Sequence, residues 1–208
     1  MKSPVKTVIA IAALSWPGAI SLRSQESTAV PIPVVVAEAE GARRTAHAER
    51  GGIVNGVSIE LAQAVAPLAL QLDFEVTVFD DRPTLANSQY FPAGTKFRVD
   101  YWEKLLKESL PHRPTFGLIV TRGHQHDALV LREWVNRPFV FLGLIGSKRK
   151  RRLIFEQFVE DGLATAEQLE KVACPVGLDI QAVSVPEIAV SVVGQFIQKR
   201  AEIVSQNA

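Results

Sequence analysis

The sequence lacks the features that mark disulfide-rich, membrane-spanning, repetitive or strongly charged proteins. Its 208 residues include a single cysteine, Cys174, so no internal disulfide can form, which suits a reducing compartment. No apolar run reaches the roughly 20 residues that span a bilayer, and there is no internal repeat or low-complexity tract. A net charge of +1 gives no general argument for nucleic acid or acidic partners. With 47% apolar and 22% charged residues, the chain is able to form a packed core.

Residues 1–50 are the part of the sequence with the weakest pattern. An apolar run at 8–16 follows Lys2 and Lys6 and predicts a first strand or helix. The alternative is the core of a signal peptide, which we disfavour because no small-x-small cleavage site follows. Residues 31–36 resemble a strand entered through prolines. We therefore predict a poorly defined N-terminal segment over 1–50 and a domain over 51–208.

From residue 51 onward, helical and strand patterns alternate. Apolar spacing predicts helices over residues 58–73, 102–110, 128–135, 147–161, 165–172 and 186–205. Alternating or continuous apolar runs predict strands over residues 74–79, 97–99, 116–120 and 139–145. Strands that alternate with helices predict an α/β fold, with a parallel sheet covered by helices on both faces.

A loop with ligand-type side chains follows the apolar strand at 116–120. These side chains belong to Thr121, Arg122, Gly123, His124, His126 and Asp127. Ligands bind at the carboxyl ends of strands in open α/β sheets, and Arg122 offers a fixed fork of donors for phosphate or carboxylate. In an extended segment His124 and His126 share a face, and their imidazoles could converge on one ligand; Asp127 is equally suited to cap a helix. Because no third ligand lies at a diagnostic spacing, we expect an anion or cofactor here rather than a metal.

A basic run follows the strand at 139–145, from Gly146 to Arg152. Ser147 is placed to cap the next helix, so Lys148 and Arg149 fall in its first turn, where the helix dipole is already positive. That placement favours an anion held by backbone N–H groups and these side chains. The alternative is a solvated basic face or weak binding of nucleic acid.

Two acids, Asp80 and Asp81, follow the strand at 74–79, about where a dinucleotide-binding fold carries the acid for its ribose. One of them can instead cap the turn that Arg82 and Pro83 form, and we weigh these two roles equally. The glycine fingerprint itself is missing, because residues 54–59 contain one glycine. A Cβ at that turn keeps the backbone away from a pyrophosphate.

Residues 175–180 form a third candidate segment. Gly177 allows close backbone approach, and Asp179 can direct a carboxylate toward the same end of the sheet. The alternative is a simple turn into the last helix, with Asp179 bonded to backbone N–H groups. Cys174, directly before this segment, is predicted to be a small buried residue rather than a nucleophile.

Together these motifs resemble the xanthine dehydrogenase accessory protein family (XdhC/CoxI), specifically its C-terminal Rossmann domain. The matching runs, in the family's order over about residues 55–200, are 78–83 with 86–87 and 91–92, 121–127, 142–150, and 175–180 with 186–191. The resemblance departs at the family's glycine-rich turn, expected near residues 57–60, where this chain has Val-Ser-Ile-Glu. Longer members also carry a separate N-terminal domain, which residues 1–50 do not match.

The resemblance implies a cytoplasmic accessory protein that binds molybdenum cofactor (molybdopterin) as cargo and assists its sulfuration and insertion into a molybdenum hydroxylase such as xanthine dehydrogenase. It implies no membrane or nucleic-acid partner; a cysteine desulfurase and a homodimer are further partners to consider. The expected cofactor-binding residues are Asp80, Asp81, Arg82, Thr121, Arg122, Gly123, His124, Gly146, Ser147, Lys148, Arg149 and Asp179. No catalytic or metal-binding residue is predicted. An accessory protein of this kind needs no bond-making step, so it is favoured over a catalyst.

Two alternatives stay open. A small NAD(P)-dependent oxidoreductase would need the glycine fingerprint that is missing, so NAD(P) is disfavoured. A non-catalytic interaction module that has lost its ligand would account for the altered turn. Bound pterin would favour the carrier, and bound nicotinamide would favour the oxidoreductase. A protein that binds neither would fit the interaction module.

Overall fold

The computed structural model describes residues 33–38, 58–108, 115–121 and 124–206. The segment predicted over residues 1–50 lies outside these ranges except for 33–38, and so does the apolar run at 8–16. Within the described ranges, no helix combines the length and the apolar character needed to cross a membrane.

The described strands form one parallel sheet. They are β1 (Pro33–Glu38), β2 (Glu75–Asp80), β3 (Lys96–Val99), β4 (Phe116–Ile119), β5 (Phe141–Leu144) and β6 (Val172–Ala173). Their order across the sheet is β3-β2-β1-β4-β5-β6, and every neighbouring pair is parallel. This is the strand order of the Rossmann fold, so the predicted fold class is confirmed.

The strand at the centre of this sheet is β1, and it lies upstream of residue 51. Val34 pairs in register with Val76 of β2 on one side and with Phe116 of β4 on the other. The run of three valines that follows Pro33 suits a strand that is paired on both sides. The Rossmann sheet therefore includes a strand from before the predicted domain boundary.

Helices separate most of the strands along the chain. They are α1 (Ser58–Gln71), α2 (Trp102–Glu108), α3 (His124–Trp134), α4 (Lys148–Glu160), α5 (Ala166–Glu170) and α6 (Val185–Gln206). All six of these helices in the described residues were predicted, but α3 begins at His124 rather than at Ala128, and the helix predicted over 165–172 ends at Glu170, with Val172 in β6. Ser147 caps α4 as predicted, with its Oγ accepting a hydrogen bond from the N–H of Lys150 (3.1 Å).

Helices cover both faces of the sheet because neighbouring strand residues point to opposite sides. Leu118 packs into the apolar cluster that contains α1 and α6, whereas Ile119 packs into the cluster that contains α2, α3, α4 and α5. In the first cluster, the ring centroid of Phe116 lies 5.5 Å from those of Phe141 and Phe196. Both clusters fix the sheet, and thereby the position of the strand ends where the candidate residues lie.

Candidate functional site

The carboxyl end of β2 carries a closed ion pair. Asp80 is fully buried, and its Oδ1 accepts hydrogen bonds from the backbone N–H (2.7 Å) and the Nε–H (2.9 Å) of Arg82. Its Oδ2 accepts from Nη2 of the same arginine at 2.9 Å. Arg82 itself is only 9% exposed. Asp80 therefore caps the turn that follows β2, which is one of the two roles predicted for these acids.

Burial raises the pKa of Asp80 above its usual value, and the hydrogen bonds and charge of Arg82 oppose that rise. The effect of lost hydration on the pKa of this carboxyl group is thus larger than the opposite effect of the guanidinium. Asp81 differs from its neighbour: it is exposed, and its Oδ1 lies 3.9 Å from Nε of Arg82. At this strand end, Asp81 is the carboxylate that faces solvent.

The segment after β4 is partly helical. Arg122 and Gly123 lie outside the described residues, and His124 is the first residue of α3. His126 follows two positions later in the same helical turn, and residues spaced by two do not face each other on a helix. The convergence of the two imidazoles was predicted for extended backbone, and the backbone from His124 onward is helical instead. In the described part of the chain, no group of three His, Cys, Asp or Glu side chains could hold a metal ion.

The sequence leaves Asp127 open between a ligand-type side chain and a helix cap, and the structure excludes the cap. It is not the N-cap of α3 but its fourth residue, and it is fully buried. Its Oδ1 accepts a hydrogen bond from Oγ1 of buried Thr121 (2.7 Å), and its Oδ2 forms an ion pair with Nζ of Lys150. Asp127 thus joins the end of β4 to the first turn of α4.

The basic run after β5 divides into inward and outward side chains. Lys150 points inward: its side chain is 15% exposed, and its Nζ donates a further hydrogen bond to the backbone oxygen of Ile145 (3.0 Å). Lys148 and Arg149 are exposed at the start of α4. Gly146 makes room for the lysine, because a Cβ at this position would lie 2.8 Å from Cδ of Lys150. The group that approaches Gly146 closely is therefore a side chain of the protein itself.

The segment after β6 also packs against the protein. Gly177 has a φ of +109°, and its N–H donates to Oε1 of Gln195 in α6 at 2.7 Å. Asp179 is exposed and accepts a hydrogen bond from Nε2 of Gln181 at 2.9 Å, so its described partner is a side chain rather than the backbone N–H of the alternative interpretation. Asp179 remains open to solvent.

The structure brings the described candidate residues to one edge of the sheet, because parallel strands end at the same edge. The ends of β4 and β5 are joined directly: the N–H of Ile145 donates to the oxygen of Ile119 (2.9 Å), in addition to the contacts of Asp127. The N–H of Val176 donates to the oxygen of Leu144 (3.2 Å), which ties the segment after β6 to the same place. In the sheet order, the end of β2 is separated from β4 by β1.

The residues that depart from the family's glycine-rich turn lie at the start of α1. Residues 58–60 form its first helical turn, and residue 57 with the rest of the connection from β1 lies outside the described residues. The structure thus places Ser58 and Glu60 within a helix.

Cys174 lies near Lys150 and Asp127 and is buried, as predicted. Burial raises the pKa of its thiol from 9.0 to about 11, while the nearby charges of Lys150 and Arg151 act in the opposite direction. The thiol is therefore protonated at neutral pH and is a poor nucleophile.

The single cysteine allows a direct test of this environment. We expect Ellman's reagent to modify the folded protein slowly at pH 8 and to titrate one thiol rapidly in urea. The unfolded chain ionises the thiol from about pH 9, before the folded protein does, so the stability that the buried neutral thiol contributes is present below pH 9 and is lost as the pH rises through 11. A Cys174→Ala variant should lose less stability over that interval; an identical loss would contradict the assignment.

Comparison with known proteins agrees with the fold and the motifs. A family model described as the XdhC Rossmann domain matches residues 55–196. An uncharacterized protein of Escherichia coli, YqeB, is 33% identical over 137 residues, which cover 65% of this chain and 25% of that protein. A probable xanthine dehydrogenase subunit of Bacillus subtilis is 31% identical over 142 residues, which cover 67% of this chain and 40% of that protein. The chain thus spans less than half the length of these relatives.

A solved structure has the same fold. The crystal structure of a protein described as a xanthine dehydrogenase from Bacillus halodurans superposes with a TM-score of 0.64 over 83% of this chain and 43% of that one, at 23% sequence identity. The family match confirms the resemblance predicted from the motifs.

Proposed function

The chain belongs to the XdhC family, and from that premise we propose that it is an accessory factor that binds molybdenum cofactor and assists its sulfuration and insertion into a molybdenum hydroxylase of the xanthine dehydrogenase type. The relative named as a probable xanthine dehydrogenase subunit supports an association with that enzyme system. The cofactor is cargo, so the residues of the chain are required to bind and orient it rather than to make or break bonds. We propose a cytoplasmic location, where a cysteine desulfurase would supply the sulfur.

One observation carries the proposal: the start of α4 presents two exposed cations at the carboxyl end of β5. The first N–H groups of a helix have no acceptor within it, and they bind anions together with the helix dipole. Lys148 and Arg149 add charge at this point, while Ser147 holds the turn through its cap. Molybdopterin carries a phosphate, and this is the group that the start of α4 would bind.

The remaining contacts belong to neighbouring segments at the same edge. Arg122 and His124, at the end of β4, are proposed to contact the pterin or the oxygen and sulfur ligands of the metal. Asp81 and Asp179 are exposed carboxylates and suit the N–H donors of a pterin ring. Asp80 and Arg82 shape the turn beneath Asp81.

The proposal is tested by loading the purified protein with freshly released molybdenum cofactor. After gel filtration and oxidation, pterin fluorescence in the protein peak reports bound cargo. We expect near-stoichiometric pterin for the wild type and a roughly 10-fold to 100-fold weaker affinity for Lys148→Ala, because one charge-assisted hydrogen bond contributes about 1.5–3 kcal/mol. Arg122→Ala should weaken binding by a similar factor.

A matched control comes from the same basic run. Arg152 is exposed and lies one helical turn beyond Lys148. Its Nε is 4.0 Å from Oε1 of Glu156. Arg152→Ala removes the same unit of charge and should leave pterin binding near the wild-type level. No pterin above an unrelated protein would refute the carrier. Bound nicotinamide would favour an oxidoreductase instead, an outcome that the exposed Asp81 at the end of β2 would suit.

A further inference from the structure

We infer that the buried pair of Asp127 and Lys150 is a positioning element, which fixes the first turns of α3 and α4 side by side so that the proposed anion site has one geometry. The inference rests on the proposed function, because the residues it positions are those proposed to bind cargo. Neither residue would touch the cargo itself.

The contacts form a chain that runs through the protein interior. Lys150 reaches from the first turn of α4 to Asp127 in the first turn of α3, and Asp127 in turn accepts the hydrogen bond of Thr121 at the end of β4 (2.7 Å). Thr121 is the residue directly before Arg122. One continuous set of contacts therefore connects the cations of α4 to the segment that carries Arg122 and His124.

Stability alone does not account for this pair. A lysine in the first turn of a helix is opposed by the helix dipole, and apolar replacements of a buried ion pair are often neutral or stabilising. The chain also has glycine at position 146, where a Cβ would collide with the lysine side chain. The best-attested use of buried charges is to fix one arrangement among several, and that use fits here.

The pair also determines which cations are available to a ligand. Asp127 compensates the charge of Lys150 inside the protein, so Lys150 is not a competitor for an anion at the surface. Lys148 and Arg149 remain exposed to solvent in the first turn of α4, and the buried pair fixes the position of that turn. A supporting contact of this kind affects affinity through the residues it holds.

The test compares binding with local order in one variant. Asp127→Asn combined with Lys150→Met removes both charges, so neither is left buried alone. We expect its pterin affinity to fall roughly 10-fold to 100-fold, the range seen when partners that orient a binding residue are lost. Amide exchange should accelerate at Lys150 and Arg151, whose N–H groups bond to Ser147.

Val65→Ala serves as the control, since it removes buried volume from α1 on the opposite face of the sheet. It should lower the urea midpoint without a selective change of exchange in α4. The inference is overturned if the double variant binds pterin like the wild type, or if its exchange at Lys150 and Arg151 changes no more than in the control. Should the wild type bind no pterin, the proposed function fails, and the exchange measurement still decides whether the pair positions α4. If the double variant does not fold, Asp127→Leu combined with Lys150→Met removes the same two charges with apolar side chains, which a buried site often tolerates, and is judged by the same two criteria.

Discussion

Asp80→Ala is expected to lower the free energy of unfolding by roughly 3–5 kcal/mol, the usual cost of removing one of the two charges of a buried ion pair. The cost comes from Arg82, which is 9% exposed and has three hydrogen bonds to Asp80 in the folded protein. Urea denaturation, with the midpoint and the slope compared between variants, measures it.

The neighbouring acid is a matched control. Asp81→Ala removes an equal charge one residue away, but its carboxylate is exposed, so we expect a change within about 0.5 kcal/mol. A second variant separates the two halves of the pair: Asp80→Ala with Arg82→Met leaves no buried charge and should recover much of the lost stability. If Asp80→Ala and Asp81→Ala were equally mild, the closed pair at the end of β2 would not exist in solution.

The contrast between these two acids shows what the sequence could and could not predict. The acids after β2 were recognised, yet either was equally suited to cap the turn or to bind a ligand. One signal separates them: Asp80 lies on the same face of β2 as Val76 and Val78, which pack against α1 and α6 and are more deeply buried than Glu75 and Thr77 on the other face.

The start of α3 was harder to predict, for a different reason. Helices and strands with a clear apolar period were located correctly, because that period determines which face is buried. The polar run from His124 to Asp127 has no such period, so α3 was expected to begin only at Ala128. The contact between Asp127 and Lys150 helps to order this turn, and these two residues are 23 positions apart in sequence (150 − 127). A pairing over that separation leaves no local pattern to detect.

Gly146 and Gly177 illustrate the same limit. The sequence predicted a cofactor-binding role for Gly146 and a close approach to the backbone at Gly177. The approaching groups, however, are Lys150 at the first and Ser191 at the second, and both belong to the chain itself. The residue type reports the close approach, whereas the identity of the neighbour comes only from the fold.

Gly177→Ala should therefore be among the most destabilising small substitutions in the chain. The new Cβ would collide with Oγ of Ser191 and come within 3.4 Å of its Cβ, and the φ of +109° is one that alanine adopts only under strain. Strain of about 1–3 kcal/mol for the backbone and a similar amount for the overpacked contact give a loss of roughly 2–6 kcal/mol in unfolding free energy. Thermal or urea unfolding of the purified variant measures the loss.

Two further variants divide that loss between its causes. Gly162 also has a positive φ, of +66°, but a Cβ there would have nothing within 4 Å. Gly162→Ala should therefore show only the backbone cost of about 1–2 kcal/mol. Ser191→Ala removes the oxygen that the new Cβ would meet, so Gly177→Ala should cost less in that background, by the share due to the collision. An equal cost in both backgrounds would mean that backbone strain, rather than the contact with α6, requires glycine at position 177.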